Sequence, residues 1–180
     1  MNTKTILSII GITLANITST TTYAIGTNSE NKGADITLVT ATTKQWQAGR
    51  IVSMAEIKKN GLEHDFCKRN INNPIFARIY GKSYKTNCTL PRTELRYLQL
   101  LHYTVDGRIM TGEMICHKDI ANDLIEIFRK LYDAHYPIER MQLIDDFGAD
   151  DVTSMNNNNT SCFNYRPVAG STNPSKHSMG

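Results

Sequence analysis

The residues best suited to chemistry lie close together: Tyr165-Arg166, a short polar loop, then Ser175-x-His177-x-x-Gly180. Neutral imidazole is a good zinc ligand. A catalytic zinc takes about three protein ligands and keeps one position open for water. A guanidinium such as that of Arg166 can stabilise the oxyanion formed when metal-activated water attacks a carbonyl, or grip a terminal carboxylate with two prongs. Gly180 permits a sharp turn or a close backbone approach. Taken alone, an isolated histidine in a polar loop is most often a surface residue.

Other constellations carry less. Cys116-His117 has the residue types of a thiol nucleophile and its base, but neighbours on a strand point to opposite faces and cannot pair directly. Cys116 reads instead as a core or disulfide residue. Asp145, Asp146, Asp150 and Asp151 lack the alternating donors of a calcium loop. They read as a solvated acidic loop, with a place on the rim of a cleft left open. His64, His102 and His135 have no partners at ligand spacing. Asn159-Thr-Ser has the shape of a glycosylation acceptor, relevant only to a eukaryotic secretory route.

The elements that must position these residues follow from pattern. Leu95 to Val105 and Arg108 to Cys116 flank Asp106-Gly107, which predicts a β-hairpin. Ile120, Leu124, Ile127, Phe128 and Leu131 form one apolar face, predicting a helix within Lys118 to His135 that Pro137 closes. A short helix is expected over Ile51 to Asn60 with Gly61 as its stop, and another around Phe76, Ile79 and Tyr80. Arg140 to Asp145 is expected to be a short strand, and Asp145 to Asn164 a long loop. Together these predict an α+β fold, an antiparallel sheet flanked by helices.

The chain has 180 residues and a net charge of +3, with 40% hydrophobic and 21% charged residues. Those values suit a folded domain, and without a Lys/Arg block they give no case for nucleic acid. Lys4, the apolar run from Ile6 to Leu14 and the small residues of Thr22-Tyr-Ala24 predict a signal peptide over 1–24. That run is too short to span a bilayer comfortably. The expectation is therefore a secreted or periplasmic protein with no membrane partner after cleavage, an uncleaved anchor or a buried helix being the alternative. Residues 25–50 are Thr/Asn/Ser-rich and read as a flexible leader. Cys67, Cys88, Cys116 and Cys162 permit disulfides in an exported chain. Cys67 with Cys88 is the preferred pair, since both flank a Gly/Asn/Lys-rich segment.

From about Phe66 to Gly180 the chain resembles the D-alanyl-D-alanine carboxypeptidase-like zinc peptidases. These include the vancomycin-resistance carboxypeptidases and dipeptidases, and phage endolysins. The resemblance is carried by Leu95-Arg-Tyr-Leu, Leu101-His-Tyr, Gly112-Glu-Met, Tyr136-Pro-Ile-Glu-Arg, Leu143-Ile-Asp-Asp and Asn159-Thr-Ser. Phe163-Asn-Tyr-Arg and Ser175-x-His-x-x-Gly carry it most specifically. It implies a zinc cofactor with His177 as first ligand, Arg166 as the group that stabilises the transition state or holds substrate, and Ser175 as a substrate-binding neighbour. It also implies peptidoglycan stem peptides as substrate. The family pattern places a second ligand, an acidic general base and a final histidine ligand after the position of Gly180. Residues 51–180 are accordingly expected to be the N-terminal portion of a peptidase-like domain lacking part of its core, and catalytically incomplete by themselves. The alternative expectation is an inactive fragment or a non-enzymatic cell-wall-binding module.

Overall fold

The computed structural model describes residues 46–180, which form one compact unit. The expected signal peptide and most of the expected leader lie outside the described residues. The last part of that leader is ordered. Gln47 O accepts from Thr111 Oγ1 at 2.6 Å, and Gly49 N donates to Thr111 O at 2.8 Å.

The fold is α+β. Four strands form one antiparallel sheet: β1 (Ile51–Val52), β2 (Cys67–Asn70), β3 (Leu95–Tyr103) and β4 (Ile109–His117), in the order β1-β4-β3-β2. The predicted hairpin is β3–β4, paired from Leu95↔His117 to Tyr103↔Ile109. Its turn is a three-residue loop rather than a tight Asp-Gly turn. Thr104 N donates to Arg108 O, Gly107 N donates to Thr104 O, and only Gly107 takes positive φ (+78°). A type I turn followed by one left-handed residue gives this geometry.

Alternation along the strands builds two cores. Leu98, Leu100, Met114 and Cys116 face one cluster, which α4 (Ala121–Asp133) covers with Ala121, Phe128 and Tyr132. Leu95, Tyr97 and Ile115 face the other, covered by Ile75 and Ile79 of α3 (Asn73–Ile79) with Leu143 and Phe163. The helices start where sequence signals place them. Ser53 Oγ accepts from Glu56 N to cap α1 (Met54–Asn60), Gly61 ends it at φ +82°, and Asn72 caps α3 ahead of Pro74. A four-residue helix, α2 (Leu62–Asp65), follows α1.

The helix expected over Ile51 to Asn60 starts only at Met54, Ile51–Val52 being β1, and two further expected elements differ. Arg140 to Asp145 is not a strand. Asn159 Oδ1 accepts from Gln142 N at 2.9 Å and its Nδ2 donates to Gln142 O at 3.1 Å, so one side chain satisfies backbone groups that a neighbouring strand would otherwise pair. The chain then enters a 3₁₀ turn at Ile144–Phe147. Asp145 to Asn164 is not a structureless loop either, because Asp150 caps a helix, α5 (Asp151–Asn156), by accepting from Thr153 N. Gly148 and Ala149, both at positive φ, make the break between the turn and α5.

The four acidic residues are correspondingly engaged. Asp145 is buried, accepting from Ser83 N at 2.9 Å and Ser83 Oγ at 2.8 Å. Asp146 pairs with Arg78, and Asp151 with Arg166. Burial pushes the Asp145 carboxyl above its usual range, against the pull of the Ser83 hydrogen bonds. The expected Cys67–Cys88 bond is not formed. Cys67 Sγ donates to Gln99 Oε1, whereas Cys88 Sγ faces Leu90 O.

Candidate functional site

Arg166, Ser175 and His177 are brought together by a backbone excursion with a regular antiparallel register. Asn164 N donates to His177 O at 2.8 Å, Ser175 N to Arg166 O at 2.9 Å, and Val168 N to Asn173 O at 2.9 Å. Pro167 and Pro174 form the bridge between them. These partners place Arg166 opposite Ser175 and Asn164 opposite His177, so the eight residues separating Arg166 from Ser175 are the arms and tip of one turn. The excursion is anchored at its base. Phe163 N donates to Ile115 O at 3.0 Å on the outer edge of β4, and Tyr165 N donates to Ser83 O at 2.9 Å.

Lys176–Ser178 is a 3₁₀ turn. Ser178, almost fully buried, accepts from Arg166 N at 2.9 Å and donates to Arg166 O at 2.6 Å through one hydroxyl. Ser175 is also buried, with its Oγ 3.3 Å from Ser178 Oγ. Both hydroxyls thus shore up the turn from behind. Gly180 closes the motif at φ +88°, where an added Cβ would lie 2.5 Å from His117 N. The position needs glycine twice over, for its left-handed φ and for backbone contact with β4.

His177 is exposed, with Nδ1 2.8 Å from Cys162 O. A carbonyl only accepts, so Nδ1 carries the proton, and in the neutral ring Nε2 keeps its lone pair. Histidines that bind metals are held in this way, one nitrogen donating to a carbonyl and the other free to ligate. Arg166 has its Nε against Asp151 Oδ2, both side chains about one-third exposed. Asp151 Oδ1 accepts from Asn164 Nδ2 at 3.0 Å. One carboxylate therefore ties together two residues of Phe163-Asn-Tyr-Arg, while the Nη edge of Arg166 makes one long contact, to Pro167 O at 3.4 Å.

One imidazole is one donor. Among the described residues no three His, Cys, Asp or Glu side chains converge as a metal site. His177 fits the role of a zinc ligand, and the described residues do not by themselves make a zinc centre. A depression of about 540 Å³ lined by Asn70, Ile71, Arg92 and Arg96 shares no residue with this group. Its two guanidiniums are spent on backbone carbonyls and Asn73.

The rival histidines and cysteine fall elsewhere. Cys116 is fully buried, and its thiol is pushed up to about 12, first by burial, so it is no nucleophile. His117 lies against Glu94 and Asp119. His102 is buried with Nδ1 2.8 Å from Ile138 O, and burial lowers its pKa. Ser178 is the site residue that sequence reasoning missed, and Asp151, read there as part of a solvated acidic loop with a place on a cleft rim left open, holds Arg166. Ser178 sits inside the motif and was within reach of inspection. Asp151 is fifteen positions before Arg166 with no local signal. No family model, curated protein or solved structure matches the chain.

Proposed function

We propose that this chain carries the Arg166–His177 part of the active site of an exported zinc peptidase that hydrolyses peptide bonds in bacterial peptidoglycan stems. The observation that carries the reading is the His177 Nδ1–Cys162 O contact on an exposed imidazole, in a backbone register that sets Arg166 and His177 on the two arms of one turn. Zinc, when held, supplies Lewis-acid polarisation and a water of lowered pKa. Arg166, steadied by Asp151, offers its Nη edge to a substrate carboxylate or to the developing oxyanion. Ser175 acts on substrate indirectly, through the turn it supports.

Since the described residues supply one zinc donor, residues 46–180 are proposed to bind zinc weakly by themselves. Zinc-dependent cleavage of stem peptides is expected wherever this segment forms part of a zinc centre, and His177→Ala is expected to abolish it. Full activity of that variant would overturn the ligand assignment. Stoichiometric zinc binding by residues 46–180 would overturn the reading of His177 as a lone donor.

A second reading, a non-enzymatic wall-binding module, draws on the Asp151–Arg166 pair, in which a protein carboxylate already occupies part of the guanidinium. Stem-peptide binding without hydrolysis would favour it.

A further inference from the structure

Two of the four cysteines are placed together by the same contact that anchors the site. Phe163 N donates to Ile115 O, laying residues 162–163 along the outer edge of β4. Phe163 and Ile115 both enter the cluster beneath α3. Cys162 and Cys116 both face the cluster beneath α4, on the other side of the sheet. The side chains therefore sort in register, aromatic over aliphatic on one face and thiol by thiol on the other. Facing residues of adjacent extended segments have Cα atoms about 4.5–5.5 Å apart. A disulfide spans about 4.4–6.8 Å.

The other two cysteines are placed apart. Cys67 is in register with Gln99 on β3, and Cys88 packs among the α3-face residues near Tyr84 and Leu90.

We propose that Cys116 and Cys162 are joined by an intramolecular disulfide that ties the segment bearing Arg166 to the sheet. The bond forms by exchange with an organic disulfide as oxidant. The Cys162 thiolate attacks one sulfur of the oxidant, forming a mixed disulfide and releasing one thiol. The Cys116 thiolate then attacks Cys162 Sγ, forming the Cys116–Cys162 bond and releasing the second thiol. Two cysteine thiols are oxidised, one oxidant disulfide is reduced to two thiols, and the protons pass from the cysteines to the released thiolates. In the folded protein Cys116 is fully buried and its thiol is held protonated, so the exchange belongs to folding, before the edge of β4 is covered. The consequence for the site is direct. The His177 Nδ1 contact is to the carbonyl of Cys162 itself, so the cross-link fixes the group that sets the imidazole tautomer.

The test uses the full 180-residue chain, reduced and unfolded, then refolded in a buffer of oxidised and reduced glutathione. Alkylation, digestion and mass spectrometry are expected to find one cross-link between the peptides holding Cys116 and Cys162, with Cys67 and Cys88 alkylated. Closing a loop of about 45 residues in the unfolded chain predicts that reductant lowers the thermal midpoint by about 10–20 °C. Cys162→Ala, which leaves buried Cys116 in place, is expected to have a midpoint indifferent to reductant. Four alkylated thiols, or a cross-link through Cys67 or Cys88, would overturn the proposal. Peptide mapping of the wild type decides it even where the variant does not fold, and the result is independent of whether the chain is a peptidase.

Discussion

Arg78→Met is expected to reveal what holds α3 beneath the sheet. Glu113 projects from β4 with its side chain about 2% exposed. It receives Arg78 through two hydrogen bonds of 2.9 and 2.6 Å and the Tyr97 hydroxyl at 2.5 Å. Arg78 lies near the end of α3 and also reaches Asp146 at 3.2 Å, so one guanidinium links α3, β4 and the turn leading to α5. The Tyr97 hydroxyl is pushed well above its ordinary range by burial and by the carboxylate beside it, and Arg78 is raised by its hydrogen bonds to Glu113.

Removing one partner of a buried ion pair costs about 3–5 kcal/mol, because the other charge is stranded. A stranded carboxylate can escape by taking a proton. For an ordinary glutamic acid that costs about 1.4 kcal/mol per pH unit above about 4.3, or about 3.7 kcal/mol at pH 7 and about 1 kcal/mol at pH 5. Arg78→Met should therefore lose about 3–4 kcal/mol at pH 7 and markedly less at pH 5. Urea denaturation of residues 46–180 at both pH values measures it. Arg78→Met with Glu113→Gln should recover most of the pH 7 loss, since no charge is then stranded and the amide oxygen still accepts from Tyr97. A loss below about 1 kcal/mol at pH 7, or an equal loss at both pH values, would refute the reasoning.

Further outcomes follow from single contacts. Asp145 has a folded pKa above its unfolded one, so its ionisation costs stability as pH rises from about 4 through the folded value. Asp145→Asn, which keeps an acceptor for Ser83 N, should remove that decline, as denaturation between pH 4 and 7 would show. His102 has the opposite sign: its folded pKa is lowered, so stability is present above about pH 6.5 and is lost on acidification at up to about 1.4 kcal/mol per pH unit. His102→Gln should flatten the acid side of the stability curve, and an unchanged slope would count against the buried neutral imidazole. Ser178→Ala strands Arg166 N, and a lost buried partner of about 1–3 kcal/mol predicts hydrogen exchange at that amide about 10- to 100-fold faster. No acceleration there would mean that the turn is held by other bonds.

Local pattern was enough for much of this protein. The β3–β4 hairpin, α4 and α1 with its Gly61 stop all depend on near neighbours in sequence, and such signals survive without knowledge of the fold. The candidate site residues were also legible, as residue types at short spacing. Contacts between distant residues were not. Asn159 satisfying Gln142 turned an expected strand into an irregular segment, and Asp150 capping α5 turned an expected loop into a helix. The acidic run read as solvated because nothing local announces that Ser83, Arg78 and Arg166 wait across the fold. Sequence by itself singled out Arg166 and His177 as candidates. Tertiary structure decided how they are held: by Asp151 on one guanidinium nitrogen, by Cys162 O on one imidazole nitrogen, and by β4 against a glycine that no other residue could replace. Hydrogen bonds and charge pairs work over a few ångströms in space, and chain order records such neighbours only when a local motif happens to contain them.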